Sequence, residues 1–163
     1  YSLNNGLAAT QALKEGQSVT QTYTARVTDD FGAYVDQTIT ITINGTNDVP
    51  TFNTGTEHVD IDAGSVTEDA TLSTNGTLVI ADTDAGQAHF RAQTDTATDY
   101  GTFSVAENGQ WTYTLNNDLA AVQQLGDGES LTESIEVLSA DGTPTTVTIT
   151  INGFTSKVNR PRP

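Results

Sequence analysis

The side chains best placed to do chemistry are oxygen donors in short polar segments. They are Asn47 and Asp48 in Asn44-Gly-Thr-Asn-Asp48, Asp82 and Asp84 in Asp82-Thr-Asp84, and Asp141 in Ala140-Asp-Gly142. Carboxylates crowded at one place repel one another unless a cation sits among them. A hard divalent cation such as calcium takes about six to eight oxygens from carboxylates, amides and backbone carbonyls. Glu15 and Glu68 are further candidates for the same set. Carboxylate pairs also run glycoside hydrolysis, but these acids fall in turns, without an aromatic-lined cleft around them. His58 and His89 lack the paired spacing of a metal motif and read as surface strand residues. No nucleophile elbow is present. Asp82-Thr-Asp-Ala-Gly86 lacks the third acid and closing Glu of an EF-hand. The chain therefore reads as non-enzymatic, with calcium as its expected cofactor.

The elements that must position these acids are strands. Thr, Val and Ile are abundant, and apolar residues recur with a period of two. From residue 50 onward seven strands are predicted: 58–61, 76–81, 88–93, 101–105, 111–115, 131–139 and 145–152. Turn residues separate them at Asn75-Gly76, Asp84-Ala-Gly86, Asn108-Gly109, Asp127-Gly128 and Asp141-Gly142. A short helical turn is predicted over 118–125, with Asp118 as its cap. The pattern is all-β and predicts a seven-stranded Greek-key β-sandwich of immunoglobulin or cadherin type. Its inward residues would be Leu78, Ile80, Phe90, Phe103, Val105, Trp111, Tyr113, Leu115, Val122, Leu125, Ile135, Val137, Val147, Ile149 and Ile151. The outward Thr38-x-Thr40-x-Thr42 and Thr146-x-Thr148-x-Thr150 ladders read as the solvated face of such strands. In this topology Asn47, Asp48, Asp82, Asp84 and Asp141 converge at one end of the sandwich, while Glu15 and Glu68 lie at the bottom ends of their respective copies.

The chain also contains part of itself. Tyr1-Ser-Leu-Asn-Asn5 returns as Tyr113-Thr-Leu-Asn-Asn117 at an offset of 112, which also aligns Asp29 with Asp141. Ile39-Thr-Ile-Thr-Ile-Asn-Gly45 returns as Val147-Thr-Ile-Thr-Ile-Asn-Gly153 at an offset of 108, so the second copy is four residues shorter. A period of this size is that of a domain array. Residues 1–49 read as the last three strands of one repeat (1–4, 19–28 and 38–44) plus a linker. Residues 50–153 read as a complete repeat, and 154–163 as a basic, Pro-containing tail. Three strands leave an apolar face and a free edge, so the first part is expected to be poorly ordered, completed by a neighbouring chain, or joined with residues up to about 105 in a permuted domain. Tyr1 is no initiator and Met is absent, which suggests a piece of something longer.

Charge narrows the partners. Residues 1–156 hold all 21 acids and three of the six bases, a net −18. Such a surface repels nucleic acid and anionic lipid and attracts divalent cations. Cysteine is absent, so no disulfide staples the fold. No apolar run is long enough to span a bilayer.

The linker Asn47-Asp-Val-Pro-Thr-Phe52, the Asp82-Thr-Asp84 pair and Asp141 resemble the calcium-binding junction of cadherins. More specifically, Val66-Thr-Glu-Asp69, Gly76-Thr-Leu-Val-Ile-Ala-Asp-Thr-Asp84, Tyr100-Gly-Thr-Phe103, Asn108-Gly-Gln-Trp-Thr-Tyr-Thr-Leu115, Ala140-Asp-Gly142 and Val147 to Gly153 resemble a VCBS repeat. That is a cadherin-like module of large bacterial RTX-type adhesins. The resemblance implies an extracellular or cell-surface spacer in a tandem array, exported in many members by a type I route and stiffened by calcium at domain junctions. Its partners would be neighbouring repeats of the same polypeptide, with no membrane insertion. After Gly153 the usual Thr-Asn-Asp ending is replaced by Phe154-Thr-Ser-Lys157. Two alternatives remain: a module binding a host or matrix glycan or protein, for which Tyr100 and Phe154 are the loop-edge aromatics, and a fibre subunit completed by strands of an identical chain.

Overall fold

The computed structural model describes residues 1–53 and 62–154. The strand expected over 58–61, with His58, and the tail beyond Phe154 lie outside the described residues. The chain divides into two compact units. Unit 1 is Tyr1–Asp48 with Thr83–Ala85, and unit 2 is Val49–Asp82 with Gly86–Pro163.

Unit 2 is all-β but for one helical turn. Its strands are β3 (Thr51–Phe52), β4 (Ala63–Thr67), β5 (Ser73–Thr77), β6 (Ile80–Ala81), β7 (Gln93–Ala97), β8 (Gly101–Val105), β9 (Gln110–Leu115), β10 (Ser130–Leu138) and β11 (Pro144–Asn152). One antiparallel sheet runs β5-β9-β8-β7, and a second runs β10-β11-β4, with β4 parallel to β11. A third, two-residue pairing joins β3 to β6. Period-two alternation sends Trp111, Tyr113 and Leu115 of β9, and Val147, Ile149 and Ile151 of β11, into one core. Each fully buried side chain of this size contributes on the order of 1.5–3 kcal/mol. Trp111 fits because glycine lies opposite it. Gly76 is its cross-strand partner, and a Cβ there would come within 2.6 Å of the indole. Gly64 on β4 is similarly close, at 2.9 Å.

The predicted core is buried as expected, except that Ile80 is only half-buried and Val66 joins it. The strand count differs: nine described strands in three sheets replace the expected seven. The segment 76–81 breaks in two because the chain changes partners. Leu78 N–H donates to Gly109 O, whereas Val79 N–H donates to Asn53 Oδ1. The segment 88–93 is no strand either. Phe90 makes a single bridge to Ser139 and donates to Glu107 O, and β7 begins only at Gln93. The helical turn α2 (Ala120–Gln123) is present, but its N-cap is Leu119, and Asp118 N–H donates to Asn116 Oδ1 instead.

Unit 1 contains α1 (Ala8–Gln11), β1 (Ser18–Thr28) and β2 (Tyr34–Asn44). The expected strand over 1–4 does not form. β1 and β2 pair from Ser18↔Asn44 to Thr28↔Tyr34, and β10 and β11 from Ser130↔Asn152 to Leu138↔Pro144. The repeat is therefore structural, with α1 and α2 offset by 112 as well.

The register also locates the four missing residues. Asp29 N–H donates to Ala33 O, and Ser139 N–H donates to Thr143 O. The two hairpin turns are equally long, while each strand shortens from 11 residues to 9. Removing two residues from each strand keeps every side chain on its own face. Asp29 thus corresponds to Ser139, not to Asp141 as the sequence offset suggests.

Candidate functional site: buried carboxylates of the linker and loop ends

In unit 1 the linker and the 83–85 segment meet. Asp48 N–H donates to Asp84 Oδ2 at 2.8 Å, and Ala85 N–H donates to Ala12 O at 3.2 Å. Asp84 is 2 % exposed, and its Oδ1 is shielded from solvent. Asn47 is exposed and donates through Nδ2 to the Asp48 carbonyl. The linker is held by Gly45, whose N–H donates to Gln17 O and whose Cα passes so close to Leu13 O that a Cβ would lie 2.1 Å away. A small polar cavity of about 150 Å³ lies here, lined by Thr10, Gln11, Asn44, Thr46 and Asp48 among others. Glu15 is exposed in the Lys14–Gln17 turn of this unit.

In unit 2, Asp82 follows β6, half-buried, with Oδ2 shielded from solvent. Asp141 caps its own hairpin turn. Its Oδ1 accepts the Ser139 hydroxyl and Thr143 N–H, and its Oδ2 accepts the Thr143 hydroxyl at 3.0 Å. Glu68 follows β4 and is 2 % exposed. Its N–H donates to Asn152 O, and its Oε1 accepts Phe154 N–H at 3.1 Å. Its Oε2 is buried with no hydrogen-bond donor among the described residues. An ionised carboxylate offers only acceptors, so a bare buried oxygen fits a cation. Asp69 beside it sits at φ 55° and accepts from Asn117 at 2.7 Å and Gln123 at 3.2 Å. The structure thus brings Asp48 to Asp84 and places Glu68 where the chain leaves β11. Among the described residues, no three acidic or histidine side chains group closely enough to hold a metal ion by themselves.

Glu133 escaped the sequence reading. It is 6 % exposed, its Oε1 accepts Asp99 N–H, and its Oε2 accepts the Tyr113 hydroxyl at 2.8 Å. Burial, and then the Glu133 carboxylate, raise the Tyr113 pKa above the usual phenol value. Unit 1 repeats the device with an amide, because Gln21 Oε1 accepts from the Tyr1 and Tyr23 hydroxyls. The available signal was a polar residue interrupting the apolar face at the same register in both copies, opposite Ile149 and Ile41. Phe31 was also missed as a loop aromatic. It is 97 % exposed at the β1–β2 turn, whereas Tyr100 is half-buried.

The bacterial cadherin-like domain profile matches residues 47–153, and the chain belongs to that family. A calcium-binding lectin of Rhizobium johnstonii, RapA2, is 28 % identical over 141 residues, covering 79 % of this chain and 56 % of the lectin. The chain thus spans little more than half the length of that relative. The solved structure of PcdhgB3 EC1-4 is 11 % identical, with a TM-score of 0.40, covering 85 % of this chain and 41 % of that one.

Proposed function

We propose that this chain is a non-enzymatic, extracellular adhesion module whose folded state is stiffened by calcium, and that it serves as a spacer in a large bacterial surface or secreted adhesin. The VCBS type of repeat, RTX-type context and type I export belong to this proposal, as do neighbouring repeats as partners. The observation that carries it is Glu68, a buried carboxylate with one oxygen that has no donor among the described residues. Family membership and a relative described as a calcium-binding lectin support the same cation. Asp48, Asp82 and Asp84 would supply carboxylate oxygens and Asn47 an amide oxygen near the linker. Asp141 would join through an oxygen already shared with its turn, and Glu15 is the outermost candidate. Calcium would neutralise these acids, and binding only to the ordered state would stabilise it by mass action. Residues 1–49 would be the trailing part of a preceding repeat, and 50–153 a complete one.

Titration calorimetry with calcium tests this. Saturable binding is expected, weakened at least about tenfold in Glu68→Gln or Asp84→Asn, a loss of about 1.4 kcal/mol. Absence of heat in the parent chain would sink the proposal.

A second reading, recognition of glycan or protein, is favoured by Phe31, a fully exposed aromatic on a hairpin tip. Phe31→Ala would abolish binding to a glycan array under that reading and change nothing under the first.

A further inference from the structure

β10 lies at an edge of its sheet, with β11 on one side only. The bonds from Gly153 N–H to Glu129 O and from Ser139 N–H to Thr143 O bracket the β10–β11 ladder. Antiparallel alternation therefore turns the backbone of the odd-numbered residues toward β11 and that of the even-numbered residues away from it. One end of this outward edge is already used. Leu138 O accepts Arg91 N–H, His89 O accepts Ala140 N–H, and Phe90 bridges Ser139. His89 to Arg91 thus run beside β10 like a short extra strand. The chain then leaves for the other sheet, where Gln93 opens β7 and donates from Nε2 to Glu136 O. Among the described residues, the outward N–H and C=O groups of Thr132 and Ser134 meet no partner.

Where the chain departs, a cleft of about 450 Å³ opens between the two sheets. Thr96, Thr98 and Asp99 form one wall, and Glu133, Ile135 and Glu136 form the other. Glu133 is engaged by Tyr113 and the Asp99 N–H, so the rim charges are Asp99 and Glu136, both exposed. A strand laid along Thr132 and Ser134 would turn one side chain into this cleft and the next into solvent. The two edges that flank the cleft differ. β7 is bulged between Gln93 and Thr96, with Asp95 at φ 47°, which blunts it against pairing. β10 pairs with β11 without interruption over nine residues, and its even-numbered side chains carry one charge, Glu136.

We infer that residues 130–136 are a docking edge for an extended peptide bearing lysine or arginine, which adds a strand beside β10. Backbone bonds to Thr132 and Ser134 hold the peptide, its inward side chains enter the cleft, and its cations face Asp99 and Glu136. A second copy of this chain suits the edge less, because it brings the same acids and a net charge of −15 against them.

None of the acids assigned to calcium lines this cleft, so the test is run in saturating calcium and again in excess chelator, with the same result expected. The probe is the peptide acetyl-Lys-Thr-Val-Thr-Val-Thr-Lys-amide, titrated to ~1 mM, a concentration that reveals weak complexes, into the isotope-labelled full chain. The backbone amide signals of Thr96, Thr132 and Ser134 should shift together and saturate. N-methylation of the peptide residues that face β10 removes the backbone bonds without touching the protein, and it should abolish the shifts. Ser134→Pro deletes one outward N–H at a place where an edge strand tolerates proline, and it should weaken binding about tenfold. Should that variant unfold, the N-methylated peptide still decides the matter. Replacing both peptide lysines by glutamate should weaken binding several-fold. Shifts that are absent in the parent chain, indifferent to N-methylation, or equal for the lysine and glutamate peptides overturn the inference. So do the same shifts produced by raising protein concentration without peptide, which would give the edge to a second copy.

Discussion

The hairpins β1–β2 and β10–β11 begin from the same sequence pattern and end in opposite environments. Both pair in one register, both follow a four-residue helical turn, and both are closed by a glycine pressed against a backbone carbonyl. A Cβ would lie 2.1 Å from Leu13 O at Gly45 and 2.1 Å from Gly126 O at Gly153. Yet Val147 is fully buried, while its counterpart Ile39 is 47 % exposed. Local pattern and turn chemistry are thus sufficient for the hairpin, whereas burial depends on a second layer, which among the described residues is met by β10–β11 alone. Cross-strand pairs, at roughly 0.2–1 kcal/mol each, hold the first. Core burial holds the second.

Substitutions at matched positions separate these contributions. The largest effect is expected at Trp111→Ala, which empties the space over Gly64 and Gly76 and should cost about 3–5 kcal/mol by denaturant unfolding. Ile149→Ala should cost about 2–5 kcal/mol, while its counterpart Ile41→Ala should cost a fraction of that, because half-buried atoms lose less contact with the core. Equal costs at the two sites would mean that unit 1 is as well covered as unit 2. Glu133→Ala should cost about 1–3 kcal/mol, since it leaves the buried Tyr113 hydroxyl and Asp99 N–H without an acceptor.

Tyr113 adds a pH signature. Its folded pKa is raised, so its contribution to stability is intact below the unfolded phenol value of about 10 and is lost as pH rises above it. Tyr113→Phe should flatten the fall of unfolding free energy measured between roughly pH 9.5 and 11.5, the window set by that phenol value. The smallest effect is expected at Asp36→Asn. The exposed Arg26 neighbour lowers the Asp36 pKa, but solvent screens the pair, and the thermal midpoint should not move measurably.

Much of the core was legible because strand alternation is a local signal. Trp111-x-Tyr113-x-Leu115 and Val147-x-Ile149-x-Ile151 declare their inward faces unaided. What escaped depends on distant partners. Ala63-Gly-Ser-Val-Thr67 is short and rich in small residues, and it becomes a strand only by lying parallel to β11. The break at Leu78–Val79 needs both Gly109 and Asn53. The sequence offset that aligned Asp29 with Asp141 could not reveal that the shortening was shared between two strands. Among the acids, type and turn position marked Asp48, Asp84 and Glu68. Glu133 looked like an outlier in an apolar strand, because its partners are a tyrosine 20 residues earlier and the backbone of Asp99.

The most direct test of calcium stiffening is thermal unfolding of the full chain in saturating calcium and then in excess chelator. Parent chain and Asp82→Ala/Asp84→Ala should be measured side by side. At calcium about 100-fold above its dissociation constant, binding contributes about 2.7 kcal/mol, or roughly 5–10 °C for a chain of this size. The predicted result is a midpoint raised by that amount in the parent and by clearly less in the variant. Identical midpoints with calcium and with chelator in the parent chain would contradict it.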